Sequence, residues 1–568
     1  MNQLRDLVER PTTPHELTDV DPVVAKILAA RGVKTRTEMD ISLARLAPVS
    51  QMANIDRAVE LLIQHRDGRV LIVGDFDADG ATSTALMWRC LERLGFSNID
   101  SLVPNRFDFG YGLSPPLVEV AKANMPTLIV TVDNGISSVD GVATARQYGI
   151  DVLITDHHLP PDVMPDANVI LNPNQPDDPY PSKHLAGVGV AFCLMAALAR
   201  KLAKNDPGIA KIPADYLDLV ALGTVADVVP LDQNNRILVE AGLQRIRAGR
   251  CSPGITALLN VAGRDPARIV ATDLGFAVGP RLNAAGRLED MSVGIRCLMA
   301  ETMTEANAAA VELDRINRER RTIQSDMQRD ASAALETIMQ DQVPGLPDCL
   351  SMYQPHWHQG VVGLIASGIK ERTGRPAFAF AHEDSGLLKG SGRSIPGVHL
   401  RDLLAEVDRQ LPGAIEKFGG HAMAAGLTLV ADQFEAFSAA AERAMAQLFP
   451  AADFLPVIMT DGALPADCFD IEFANRLRTI MPWGQRFPEP AFMGDFDVSD
   501  VRIVGEKHLK MQVQVDGQTV DAIAFGQVRD PLPERGSQIS LCYRLDVNVW
   551  RGVSRLQLVV EQWRVVGE

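Results

Sequence analysis

Three short apolar runs, Val70-Leu71-Ile72-Val73, Leu128-Ile129-Val130-Thr131-Val132 and Val152-Leu153-Ile154-Thr155, are followed at once or after a single glycine by an aspartate: Asp75, Asp133 and Asp156. Unbroken β-branched runs belong to strands buried on both faces, which predicts an α/β fold with a mainly parallel sheet. In an open α/β sheet the loops at the carboxyl ends of the strands gather round the ligand, however far apart they lie in sequence. Asp77, Asp79, Asp133 and His157 are therefore expected to meet at one point.

Carboxylates held within a few ångströms of one another repel by several kcal/mol at intermediate dielectric, and unaided they would protonate. A dication removes that conflict. Oxygen donors with one or two imidazoles favour Mn²⁺ or Mg²⁺ over zinc, and no cysteine lies near these segments. Two such ions would both activate a water and hold a phosphoryl group. The helix after Gly80 begins Ala81-Thr82-Ser83-Thr84, and its backbone N–H groups are expected to receive an anion beside the metals.

The blocks Asp75-Phe76-Asp77-Ala78-Asp79-Gly80, Asp133-Asn134-Gly135 and Asp156-His157-His158 resemble the signature of the DHH-family phosphoesterases. Further on, Gly419-Gly420-His421-Ala422-Met423-Ala424-Ala425-Gly426 resembles the glycine-rich motif of the companion DHHA1 domain. The resemblance covers nearly the whole chain, and its domain order is closest to family members that digest single-stranded DNA from the 5′ end. It implies Asp77, Asp79, Asp133 and His157 as ligands, with Asp133 shared by two ions and His158 nearer the phosphate or its leaving oxygen. Asp156 then orients an imidazole from behind. Asp75 stays open between a ligand and a turn residue. Asp227 closes the apolar stretch Leu219 to Val229, and a carboxylate buried there needs a partner, which points to a further ligand or else to a helix end facing water.

Arg281 and Asn283 stand in Gly279-Pro280-Arg281-Leu282-Asn283-Ala284-Ala285-Gly286. The planar fork of arginine suits a terminal phosphate, and Arg106 resembles the family's other 5′-phosphate arginine; each is alternatively a surface residue. Ser391 and Arg393 in Gly390-Ser391-Gly392-Arg393-Ser394, with Gly420 and His421, resemble contacts to the phosphates of a strand, a structural glycine turn being the rival. No Gly-Lys pair supplies a P-loop lysine, and no Gly-x-Ser-x-Gly elbow surrounds Ser391.

A chain of 568 residues exceeds what one core supports, so three or four domains are expected. We place a short N-terminal appendage over 1–50, the DHH domain over 51–294, a connecting long helix over 295–343, the DHHA1 domain over 344–455 and a C-terminal antiparallel barrel of the OB-fold type over 456–568. The connector rests on the absence of glycine and proline between Ile295 and Val343, and on the apolar seam Leu313, Ile316, Ile323, Met327, Ala331 and Leu335. Its other face carries Arg315, Arg318, Arg320 and Arg321, as a solvated surface or as the wall of a nucleic-acid channel. The barrel rests on period-two runs, with Asp516-Gly517 as a hairpin turn and Trp550 as a base platform, a core residue or an edge residue.

Net charge is −17, which argues against indiscriminate coating of nucleic acid but leaves room for a local basic groove. Seven scattered cysteines without a Cys-x-x-Cys pair suggest a reducing cytosol without disulfides or structural zinc. The start Met1 to Asp6 lacks the character of a signal peptide, and no apolar run reaches roughly 18 residues, so a cytoplasmic protein off the membrane is expected. The function expected is a Mn²⁺- or Mg²⁺-dependent 5′ to 3′ exonuclease on single-stranded DNA, acting as a monomer. The resemblance adds single-strand DNA-binding protein and recombination or repair factors as partners. Its rivals are a DHH phosphodiesterase for short oligonucleotides or cyclic dinucleotides, and a non-catalytic DNA-binding scaffold.

Overall fold

The computed structural model describes residues 5–105, 109–204, 206–341, 346–383, 386–450, 452, 454, 457–550 and 552–566, with 339–341 and 550 described by backbone alone. Arg106 thus lies outside the described residues, as does the side chain of Trp550. The chain divides into two compact units. One comprises Glu9–Ile316 and Met459–Glu568; the other is Asn317–Ile458 with the first few residues of the chain.

The first unit is built on a five-stranded parallel sheet of β1 (Val70–Gly74), β2 (Ile99–Leu102), β3 (Leu128–Val132), β4 (Asp151–Thr155) and β5 (Val169–Leu171), in the order β2-β1-β3-β4-β5. Every residue of β1 and β3 is buried, as their unbroken apolar runs require. The register pairs Gly74 with Val132 and Val132 with Thr155. Three strands therefore end level, and Asp75, Asp133 and Asp156 leave the sheet from one edge. Helix α1 (Ala78–Arg93) packs against α2 (Gly187–Leu202) and α3 (Leu217–Ala226) over this core. A π-helical turn, Leu274–Val278, leads into α4 (Gly279–Leu288).

The long helix α5 runs Met303–Asp341, 39 residues and ~58 Å. It starts later than the lack of glycine and proline suggests. Thr302 Oγ1 accepts from the N–H of Glu305, and Glu305 Oε2 accepts from those of Glu301 and Thr302, all at 3.3 Å. This reciprocal cap sets a fresh N-terminus, and Ile295 falls instead in a separate short helix, Ser292–Leu298.

In the second unit β6 (Leu350–Tyr353), β7 (Ala377–Glu383), β8 (Leu387–Arg393), β9 (Ile415–Gly420) and β10 (Ala424–Val430) form a mixed sheet in the order β9-β10-β8-β7-β6. Helix α6 (Val362–Thr373) lies against β7 and β8.

The C-terminal strands β11 (Phe492–Val504), β12 (His508–Val515), β13 (Gln518–Ala524), β14 (Gln538–Trp550) and β15 (Val553–Val565) close a barrel in the order β11-β12-β13-β15-β14. Burial alternates strictly along β12, and Asp516 and Gly517 both have positive φ, the geometry of a type I′ hairpin. The barrel is antiparallel except between β13 and β15, which pair in parallel. Alternating directions cannot close round an odd number of strands, so one parallel pair is unavoidable. This barrel belongs to the same compact unit as the parallel sheet. Arg31 joins the N-terminal segment to the stretch leading into the barrel through a bidentate pair with Asp461 at 2.6 and 2.8 Å, both side chains 1% exposed. Among the described residues no helix is long and apolar enough to cross a membrane.

Candidate metal centre

The level strand ends deliver the acidic loops to one spot. Asp77 caps α1, its Oδ1 accepting from the N–H groups of Asp79 and Gly80 at 2.9 and 3.0 Å. Asp79, one turn on, is fully buried and caps a different helix: Oδ2 accepts from Gly187 N–H at 2.6 Å and Oδ1 from Val188 N–H at 3.0 Å, at the start of α2. Asp133 follows β3 in the left-handed region, φ +62°. Asn134 braces the strand ends by donating to the carbonyls of Val73 and Val132. Asp227 closes α3 as its C-cap.

Three overlapping sets result, each offering ligand atoms within 4.8 Å of one another: Asp75, Asp77 and Asp133; Asp79, His157 and Asp227; Asp133, His157 and His158. His157 Nε2 faces Asp133 Oδ1 at 3.1 Å and Asp227 Oδ2 at 3.5 Å. All three atoms are buried, and none makes a hydrogen bond. Burial lowers the pKa of His157, with His158 adding to the effect, so its ring presents a lone pair rather than a second proton. Burial, then the neighbouring carboxylates, pushes Asp79 and Asp227 up to about 7 and Asp133 well above the ordinary aspartate value. Lone pairs facing one another, with no donor between them and carboxylates driven toward protonation, fit a divalent cation.

Asp156 is consumed by support. Its Oδ1 accepts from the N–H groups of His157 and His158 and pairs with His158 Nδ1 at 2.7 Å, while Oδ2 accepts from Ile136 N–H. Burial alone would discharge His158, but the hydrogen bond and charge of Asp156 outweigh it and raise the pKa to about 9. A third exposed, the His158 ring is an imidazolium at the mouth of the site.

The anion expected at the start of α1 finds no donors there. Ala78 N–H is taken by Asn283 Oδ1 at 2.8 Å, Asp79 and Gly80 N–H by Asp77, and Ala81 N–H by the Asp77 carbonyl. Asn283 is thereby seen to brace the ligand loop. Arg281 is also deeply placed: it is 7% exposed, pairs with Asp314 of α5 at 2.8 Å and donates to the Ala277 carbonyl. Its fork is engaged inside the protein, by Asp314 and the Ala277 carbonyl.

In the second unit, β8 and β10 place Ser391 beside Gly426 and Arg393 beside Ala424, and β9 pairs Gly420 with Ala425. Ser391, Arg393, Gly420 and His421 therefore share one end of one sheet. Arg393 donates to Ser391 Oγ at 2.9 Å. Gly390 and Gly392 have a structural reason, since a Cβ at either would come within 2.5 Å of the Phe380 or Phe378 ring. A Cβ at Gly419 would meet nothing within 4 Å, so the fold itself does not require that glycine.

Two residues at the metal centre had no sequence signal. A Cβ on Gly187 would stand 2.5 Å from Asp133 Cβ, so only glycine lets α2 approach this closely. Tyr111 hydroxyl donates to the Asp133 carbonyl at 3.2 Å and lies 3.2 Å from His158 Nδ1.

Residues 69–224 match the family described as "DHH family, N-terminal domain", 347–447 the "DHHA1 domain" and 460–562 the "RecJ OB domain". The "Single-stranded-DNA-specific exonuclease RecJ" of Salmonella typhimurium is 49% identical over 99% of this chain and 99% of its own length. The chain belongs to the RecJ family. RecJ from Thermus thermophilus, solved with Mn²⁺, superposes with a TM-score of 0.81 at 29% identity, over 98% of this chain and 79% of that one. The Mg²⁺ form of the same RecJ gives 0.75 at 28%, over 98% and 78%. The expected DHH, DHHA1 and OB-type components are all present, and RecJ is solved with the two metals that the donor set favours.

Proposed function

We propose that the chain is a divalent-metal-dependent exonuclease that shortens single-stranded DNA from its 5′ end and releases 5′-mononucleotides. The observation that carries this reading is the convergence of Asp133 Oδ1, His157 Nε2 and Asp227 Oδ2, buried and without hydrogen bonds, in a member of the RecJ family. Asp75, Asp77 and Asp133 would hold one Mn²⁺ or Mg²⁺, and Asp79, His157 and Asp227 a second; Asp133 Oδ1, 3.1 Å from His157 Nε2, would be shared by the two. When bound, the ions supply a nucleophilic water and offset charge on the phosphoryl oxygens.

The chain's own residues contribute position and protons. Asp156 fixes the ring of His158, which holds a proton at the mouth of the site and can donate it toward a phosphate or leaving oxygen. Ser391, Arg393, Gly420 and His421 offer a second set of phosphate contacts. Single-strand DNA-binding protein and recombination or repair factors are the partners proposed, with the enzyme a monomer.

The test is digestion of 5′- and 3′-end-labelled single- and double-stranded DNA with Mn²⁺, Mg²⁺ or chelator. Immediate release of the 5′ label from single strands, dependent on metal, is expected. Preferential loss of the 3′ label, or equal attack on duplex, would overturn the reading.

A further inference from the structure

We propose that Phe276 is a stacking platform for a nucleobase beside the metal centre, an inference that rests on the reading of the chain as a single-strand exonuclease. Among the described residues Phe276 is the most exposed large apolar side chain, at 77%. It sits on the π-helical turn Leu274–Val278. A π turn is a poorer hydrogen-bonding geometry than the α-helix and recurs at functional sites. Here it keeps Leu274, Ala277 and Val278 buried while Phe276 points into solvent.

The turn is fitted closely onto the element that supplies a candidate ligand. A Cβ on Gly275 would lie 3.2 Å from Val225 Cγ1, and one on Gly279 would lie 3.1 Å from Ala226 Cβ. Val225 and Ala226 are the last residues of α3, and Asp227 follows directly. Val228, next in the chain, is 61% exposed with φ +63°, a conformation that a β-branched residue rarely adopts. The other side of the turn is tied down as well, because Arg281 donates to the Ala277 carbonyl and is itself held by Asp314. A phenyl ring is thus presented outward on constrained backbone, one residue from a contact with the helix that ends at Asp227. Its exposure contributes nothing to the core.

The chemistry of a nuclease gives that ring a use. Every base has a π face, so stacking on an aromatic side chain tolerates any sequence, as an enzyme that digests arbitrary DNA requires. In a duplex both faces of a base are covered by its neighbours, whereas a single strand can turn one base onto a protein ring. The platform would favour single strands at the point of entry.

The experiment is a scan of 5′-phosphorylated oligonucleotides, each with one abasic position counted from the 5′ end. Each is digested with Mn²⁺ by the full-length protein, Phe276→Ala and Phe276→Trp. Phe276→Ala is expected to raise KM about tenfold, within the range of one lost base stack, with kcat changed by less than about twofold. Phe276→Trp should restore KM. In the unaltered protein one abasic position should carry a similar penalty, and that penalty should vanish in Phe276→Ala. An unchanged KM, or an abasic penalty that persists undiminished in the variant, would overturn the proposal. So would loss of the Mn²⁺-induced rise in Tm in Phe276→Ala, which would make the ring a prop for the metal centre. If the unaltered protein fails to digest any single strand, it is the parent reading that falls.

Discussion

Asp133 Oδ1 lies 3.1 Å from His157 Nε2, and neither atom makes a hydrogen bond. Replacing Asp133 by Ala removes a donor that belongs to two of the three ligand sets. Cleavage should fall by ~10³-fold or more, since the charge stabilisation lost is several kcal/mol, while circular dichroism stays that of a folded protein. Substantial Mn²⁺-dependent activity in a folded Asp133→Ala variant would end the two-ion assignment.

Without metal, stability should fall as pH rises. Burial and mutual repulsion raise Asp79 and Asp227 to about 7 from an ordinary 3.8, and Asp133 moves the same way. An acid whose folded pKa is raised contributes stability that is complete below the unfolded value and is lost as pH climbs through the folded one. The window is therefore about pH 4 to 7. His158, carried from 6.5 to about 9 once Asp156 outweighs burial, extends the decline upward, while the lowered pKa of His157 opposes it in part. Melting in chelator between about pH 5 and 8 should show a descending Tm, and Mn²⁺ should flatten it. A Tm that climbs across this range would contradict the assignment.

Gly187→Ala changes no charge and replaces no proposed ligand. Its methyl would come within 2.6 Å of Asp133 Oδ1, so either α2 or the carboxylate must move. Misplacement of about 1 Å costs on the order of 10²-fold in rate, and Mn²⁺ titration by calorimetry should show weakened binding in parallel. Wild-type affinity and rate together would mean that the loop yields freely.

Arg281→Ala should be felt first in stability. The guanidinium compensates Asp314 in a nearly buried setting, and removing one partner of such a pair costs roughly 3 kcal/mol. Urea unfolding measures this directly. A 5′-phosphate preference should be compared only in Arg281→Lys, which keeps the charge; an Arg281→Ala protein of unaltered stability would return the residue to the role of an open phosphate clamp.

Truncation near residue 455 should damage the catalytic unit rather than merely shorten a DNA track. The deletion removes Asp461 from Arg31, and it removes Glu489, which accepts from Thr272 at 2.5 Å and pairs with Arg544. Loss of activity on long and very short oligonucleotides alike is expected. Selective loss on long strands alone would show a self-sufficient sheet.

The sheet and its acidic edge were legible because both signals are local: a buried strand writes its burial into consecutive residues, and Asp133 and Asp156 follow directly. The start of α5 is set by Thr302-x-x-Glu305, a capping signal that the absence of glycine and proline does not reveal. That Arg281 pairs with Asp314, 33 residues away, is hidden in the sequence, because nothing in its own motif distinguishes a fork that meets phosphate from one that meets Asp314. The bond from Ala78 N–H to Asn283, 205 residues apart, is hidden for the same reason. Gly187 carries no sign at all, since the need for a missing Cβ arises only when α2 meets Asp133. Asp79 as the cap of a helix more than a hundred residues downstream is equally a product of the fold.

The pair Arg31 and Asp461 is separated by 430 residues, with Asn317–Ile458 of the second unit made in between. At synthesis rates of ~5–20 residues per second, Arg31 waits roughly 20–90 s for its partner to exist. Asp227, the last proposed metal ligand in the chain, precedes Asp461 by 234 residues, so the whole ligand set is made before the clasp between the N-terminal segment and the stretch leading into the barrel can form. The ligand-bearing sheet is thus complete on the nascent chain well before the buried charge of Arg31 meets its counter-charge.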